Sequence, residues 1–100
     1  MLATATLDDT TETLIYTCPA STRAVVSVNL VSRSAATTVR LAVVNNATPS
    51  NQHYLEYDAS VPAAGILERS GLVLAAADRI YAKTSVAGVS VNVWGIEEAV

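Results

Sequence analysis

A cysteine nucleophile needs an imidazole to take its proton, and this chain carries one of each, Cys18 and His53. Neither sits in a nucleophile signature. Cys18 stands in Cys18-Pro19-Ala20-Ser21-Thr22, a reversal in which Pro19 fixes φ and withholds an N–H, so the residue reads as a small apolar group near a strand end. His53 opens Gln52-His53-Tyr54-Leu55-Glu56-Tyr57-Asp58, where a solvated ring on a strand is the simpler reading. In that segment Glu56 and Asp58 are two apart, a spacing that on a strand puts them on one face with Tyr54 and leaves Leu55 and Tyr57 for the core. Paired carboxylates do acid–base work or hold calcium, but a calcium site gathers more oxygen ligands at closer loop spacing. A polar outer face or a contact with a neighbouring subunit fits this pair better. Asp8, Asp9 and Glu12 near the start, and Glu97 and Glu98 near the end, read as solvated acidic patches.

With four glycines in all, the chain has no phosphate loop, nucleophile elbow or dinucleotide fingerprint, and its single cysteine excludes an intramolecular disulfide or a multi-cysteine metal site. The expectation is a protein with no catalytic residues, no cofactor and no metal. A net charge of −3 and six scattered basic residues argue against affinity for nucleic acid, which needs clustered Lys and Arg to neutralise phosphates. Met1-Leu2-Ala3-Thr4 begins no basic-then-apolar leader and the apolar runs fall short of a membrane span. These features set the expectation of a soluble protein, made in the cytosol, with no membrane partner.

Positioning falls to strands. In Arg23–Ser32, Ala24, Val26, Val28 and Leu30 share one face, with Arg23, Ser27 and Asn29 on the other, the period of two of a half-buried strand. Thr37–Asn45 repeats the pattern with Val39, Leu41 and Val43, and Val89–Ile96 repeats it with Val89, Val91 and Val93 opposing Ser90, Asn92 and Trp94. Shorter candidates are Thr13–Thr17, His53–Ala59, Gly65–Arg69, Leu72–Leu74 and Arg79–Thr84, while Asn45–Gln52 is rich in turn formers. About seven or eight short strands in 100 residues predict an antiparallel β-sandwich of jelly-roll type, a single domain over 13–98 with an N-terminal arm or edge segment over 1–12 and a tail at 99–100. Val25, Val31, Val44, Leu67, Tyr81 and Trp94 fall out of phase with the core stripes, so they are either covered within the monomer or form a partner surface. Aromatic side chains often anchor interfaces, and Tyr54, Tyr81 and Trp94, with Glu56, are the candidate contact residues.

The order of the pieces, TLIYTCPASTRAVVSVNLVSRSAATTVRLAVV, then HYLEYDASVPAAGILERSGLVLAAADRIYAKTS, then VSVNVWGIEE, resembles a group of small tailed-bacteriophage virion proteins and fibre-associated domains over about residues 13–98. The chain departs from them at CPAST, where they often carry a glycine-bearing Pro-Ala-Gly turn, and at Ala75–Asp78, where Gly commonly precedes the Asp. The resemblance implies a non-enzymatic structural role: a sandwich that assembles as a homo-oligomer, a trimer first, and meets the major capsid protein or another virion protein. A capsid decoration or cement protein on the virion surface is the first expectation, and a tail, baseplate or fibre-associated protein the second. A host-glycan-binding module, using Trp94, Asn92, Glu56 and Asp58, is the remaining alternative. In the decoration reading, Met1–Glu12 is an arm that orders against an adjacent protein.

Overall fold

The structure, a computed structural model, describes residues 1–8 and 10–100. Asp9 of the first acidic patch lies outside the described residues. Eight strands follow one another: β1 (Ala3–Leu7), β2 (Thr13–Thr17), β3 (Thr22–Ser32), β4 (Thr37–Asn45), β5 (Tyr54–Val61), β6 (Ile66–Leu74), β7 (Asp78–Thr84) and β8 (Val89–Ala99). A 3-10 turn at Asn51–His53 precedes β5.

The strands form two four-stranded antiparallel sheets, ordered β1-β8-β3-β6 and β2-β7-β4-β5. The pairs β1–β8, β2–β7, β3–β6 and β4–β5 are nested one inside the next, as in a long hairpin with its tip between β4 and β5 that has rolled up into two layers. This is the eight-stranded jelly roll, a solution that hides two sheet faces against each other.

Alternation in the sequence decides which faces meet. Ala24, Val26, Val28 and Leu30 of β3, Val39 and Leu41 of β4, and Val89, Val91 and Val93 of β8 are all buried in one central cluster. Fully burying each Val or Leu contributes about 1.5–3 kcal/mol, so a slip of one residue in any of these strands would wet the set and is strongly disfavoured. The polar residues trapped with them are satisfied. The Thr84 hydroxyl donates to the Val86 carbonyl at 2.8 Å, Ser32 donates to Ala35, and Thr37 bonds the Thr38 carbonyl and the Ser85 hydroxyl at 3.2 Å each. No buried side-chain nitrogen or oxygen among the described residues lacks a partner.

Three departures from plain alternation shape the surface. Ser70 and Gly71 of β6 both fall opposite Ser27, so the stretches Gly65–Arg69 and Leu72–Leu74 are one bulged strand, with Gly71 supplying the left-handed φ of +71°. In β5, Tyr57 and Asp58 both fall opposite Arg40, with Asp58 at φ +54°. In β8, Gly95 sits opposite Val26 at φ +152°, and a Cβ there would come within 2.1 Å of the Val25 carbonyl oxygen. Only glycine lets β8 continue along β3 past this point, to Ala99 rather than the Ile96 that alternation reaches. At the other end, Ala3–Leu7 form the edge strand beside β8 and Leu7 is buried, so this part of 1–12 is built into the chain's own sheet instead of forming a free arm.

Candidate functional site

On the outer face of the β1-β8-β3-β6 sheet, register places Val73 of β6, Val25 of β3 and Ile96 of β8 side by side in one row. They are 72%, 49% and 68% exposed. The next row along the sheet adds Trp94 of β8, opposite Ser27 and 49% exposed. The Trp94 indole N–H donates to the Asn92 side-chain oxygen at 2.9 Å, which holds the ring down along its own strand. The row on the other side is Arg23 beside Glu98, an exposed ion pair at 3.3 Å. Beyond Trp94 comes a polar row of Thr4, Asn92, Asn29 and Glu68, and then a mixed row of Thr6, Ser90, Val31 and the exposed Ile66. Four large apolar side chains thus form a strip across three strands, bordered by a charged pair and by amides and hydroxyls. Isolated exposed apolar residues are ordinary on proteins, but a contiguous strip with a polar border is the anatomy of a contact surface.

The outer face of the β2-β7-β4-β5 sheet is partly covered by its own side chains, with Leu14 and Tyr57 left substantially exposed. Ala42, Val44 and Tyr81 make a small second cluster, and Tyr54 packs over it. The Tyr54 hydroxyl donates to the Glu12 carboxylate at 2.6 Å, fastening the ring to the segment that leads into β2. That bond, with burial behind it, pushes the Tyr54 hydroxyl up to about 12. Beside it the bulge in β5 turns Tyr57 and Asp58 to Arg40. The guanidinium lies 4.0 Å over the Tyr57 ring and donates to both Asp58 oxygens, at 2.7 and 3.2 Å. Tyr54 and Tyr57 meet edge to face with ring centres 5.1 Å apart. The pairing with Arg40 holds the Asp58 carboxyl below its ordinary value.

The four candidate contact residues therefore occupy three different places. Trp94 lies in the exposed strip. Tyr54 and Tyr81 lie on the opposite sheet, where Tyr81 is only 9% exposed and works as packing beneath Tyr54. Glu56 is paired in register with the inward Leu41 and accepts from Arg69 of β6 at 2.7 Å, so it ties the edges of the two sheets together. The expectation that Tyr54, Glu56 and Asp58 share one face fails because the register shifts twice in β5, and Tyr57, expected in the core, is 56% exposed. Val73 and Ile96 complete the strip but were not singled out by the sequence pattern. Ile96 follows the close approach at Gly95, and Val73 is embedded in Leu72-Val73-Leu74, where three apolar residues in a row give no facing signal.

Cys18 is buried, with its thiol 3.5 Å from the Thr22 carbonyl oxygen and 3.9 Å from that of Leu74, and burial raises its pKa. The His53 ring instead accepts from the Ser50 N–H at 2.9 Å, in the 3-10 turn. The structure does not bring the two together. Tyr16 of β2 donates to Glu97, which anchors the last part of β8 across the gap between the sheets, and burial followed by that bond raises the Tyr16 pKa. No group of three or more His, Cys, Asp or Glu gathers as metal ligands among the described residues.

Comparison of the chain with family models, curated proteins and solved structures gives no match.

Proposed function

We propose that the protein is a non-enzymatic structural component of a tailed-phage virion, most simply a capsid decoration protein that assembles as a closed homo-oligomer on the shell. The single observation that carries the assembly part is the exposed strip of Val73, Val25, Ile96 and Trp94 on the β1-β8-β3-β6 face. The virion part rests on the resemblance of residues 13–98 in strand order and turn placement. Fully burying an exposed aliphatic side chain is worth about 1.5–3 kcal/mol and these are already partly covered, so one strip does not by itself offset the costs of association and holding copies together depends on further contacts around a ring. Repetition over many shell sites then multiplies weak individual contacts into stable attachment.

The test joins two measurements on one preparation: the solution mass of the purified protein, and its binding to capsids that lack it. The double variant Val25→Thr/Ile96→Thr, with both changes on an exposed sheet face, keeps the melting temperature within a few degrees. The expected result is a closed oligomer that fills shell sites, and a monomeric variant that does not. A monomeric wild type that ignores capsids would overturn the decoration reading, and binding to tails instead would move the protein to the tail.

A further inference from the structure

We infer that the cleft beside Arg40 is a binding site for an acidic saccharide, a sugar chain bearing carboxylates. The cleft has a volume of about 350 Å³ and is lined by Arg40, Asp58, Lys83, Thr10, Thr38 and Ser85, among others. That is within the range of small-molecule sites. Arg40 and Lys83 are direct cross-strand neighbours in the β4–β7 register. Like charges placed opposite each other destabilise a sheet, and a single carboxylate, Asp58, answers the two of them. Asp58 bonds Arg40, and the nearby Lys83 charge also helps to hold its carboxyl down, but Lys83 itself has no ion pair or hydrogen bond at contact distance among the described residues. In a chain of net charge −3, this leaves a local positive charge open to an anion.

The shape of β5 belongs to the same site. A bulge that sets two consecutive side chains against one residue is a means of aiming them, and here it holds a non-glycine residue, Asp58, in the left-handed region at φ +54°. Its products are a carboxylate at the cleft wall and the half-exposed Tyr57 ring, which lies outside this cleft beneath the Arg40 guanidinium and borders a separate cleft of about 330 Å³ with Asn51. The ligand has to satisfy the groups that line the Arg40 cleft. A compact anion such as phosphate would answer Lys83 but would be repelled by Asp58 in the same cleft, since an ionised carboxylate only accepts hydrogen bonds. A sugar acid places its carboxylate on Lys83 and offers hydroxyl donors to Asp58. The threonine and serine hydroxyls at the rim suit further ring hydroxyls.

The experiment is an NMR titration of the full chain with a hyaluronan tetrasaccharide, with a chitin tetrasaccharide as the neutral probe and inorganic phosphate as the bare anion. Expected are saturable shifts of the Arg40, Asp58 and Lys83 amides with the acidic probe, weaker at high salt, and much smaller responses to the other two. Losing a charge-assisted bond should make Lys83→Gln bind about tenfold more weakly or worse. Lys83→Arg should retain binding, and Arg33→Gln, which removes the same charge at the Asp8 pair, should leave it unchanged. The proposal is overturned if the acidic probe does not saturate, if the neutral probe or phosphate binds as well, or if Lys83→Gln and Arg33→Gln behave alike.

Discussion

The turn from β6 to β7 offers a substitution whose sign runs against the usual rule for glycine. Asp78 N–H donates to the Ala75 carbonyl at 3.0 Å, closing a four-residue turn, and the Asp78 carboxylate accepts from the Ala75 N–H at 2.8 Å. Ala77, the third residue, has φ +69°, the position where a type II turn wants glycine. Holding an L-residue in the left-handed region costs about 1–2 kcal/mol. Ala77→Gly removes that cost, while the bonds from Ala77 N–H to the Cys18 carbonyl and from Asn46 N–H to the Ala77 carbonyl are untouched. Against the gain stand the extra freedom of glycine in the unfolded chain, about 0.5–1 kcal/mol, and the loss of a half-buried methyl, about 0.4 kcal/mol. Ala76→Gly next door carries the same two penalties without the relief, because Ala76 is not in the left-handed region. The difference between the two variants therefore isolates the backbone term: about 1–2 kcal/mol, or roughly 4–16 °C in melting temperature for a domain of this size. Thermal melts followed by circular dichroism measure it, with Ala77→Gly at or slightly above wild type and Ala76→Gly below. If the two variants melt together, Ala77 is not strained and the reading of this turn is wrong.

Gly95→Ala should do the reverse, since the new Cβ meets backbone rather than a movable side chain. The expected outcome is a lower melting temperature together with fast hydrogen exchange at residues 96–99, while Val89–Val93 stay protected; normal protection at 96–99 would refute it. The Tyr54–Glu12 bond makes a pH prediction. A hydroxyl whose folded pKa is raised contributes stability that is fully present below its unfolded value near 10 and is lost as pH rises through about 12. Urea midpoints taken between pH 8 and 12 should fall for wild type, and part of that fall should vanish in Tyr54→Phe; identical profiles would show that the bond does not matter.

How much could be read from residues alone follows from how many faces each strand buries. Where one face is core and the other is wet, as in Arg23–Ser32 and Val89–Val93, alternation gave both the strand and its inward residues. Thr37–Asn45 was legible as a strand and in its inward residues Val39, Leu41 and Val43, but not in the cover on its other face, where Ala42 and Val44 are buried under Tyr54. Residues 1–12 were legible only as an arm or edge segment, and Ala3–Leu7 did not stand out as a strand because Ala-Thr-Ala-Thr alternates in polarity without bulk, and only Leu7 fills the core. The bulges in β5 and β6 are set by cross-strand register, which a single strand's pattern does not contain. For that reason Arg40, Tyr57 and Asp58 could not be seen as one cluster, although two of them are adjacent. Trp94 was legible as an outward aromatic, but its neighbours in the strip come from β3 and β6.

The place of β8 between β1 and β3 has a consequence for the order of events as the chain folds. β1 pairs with no strand but β8, and Val25 and Val73 gain the Trp94 and Ile96 half of their strip only when β8 docks. The first and last strands close the roll, a pairing of the greatest separation along the chain and hence slow to form. A nascent or half-folded molecule therefore lacks the complete apolar strip. Under the proposed assembly, copies would recognise one another only after each has completed its own sandwich, which would set folding ahead of assembly.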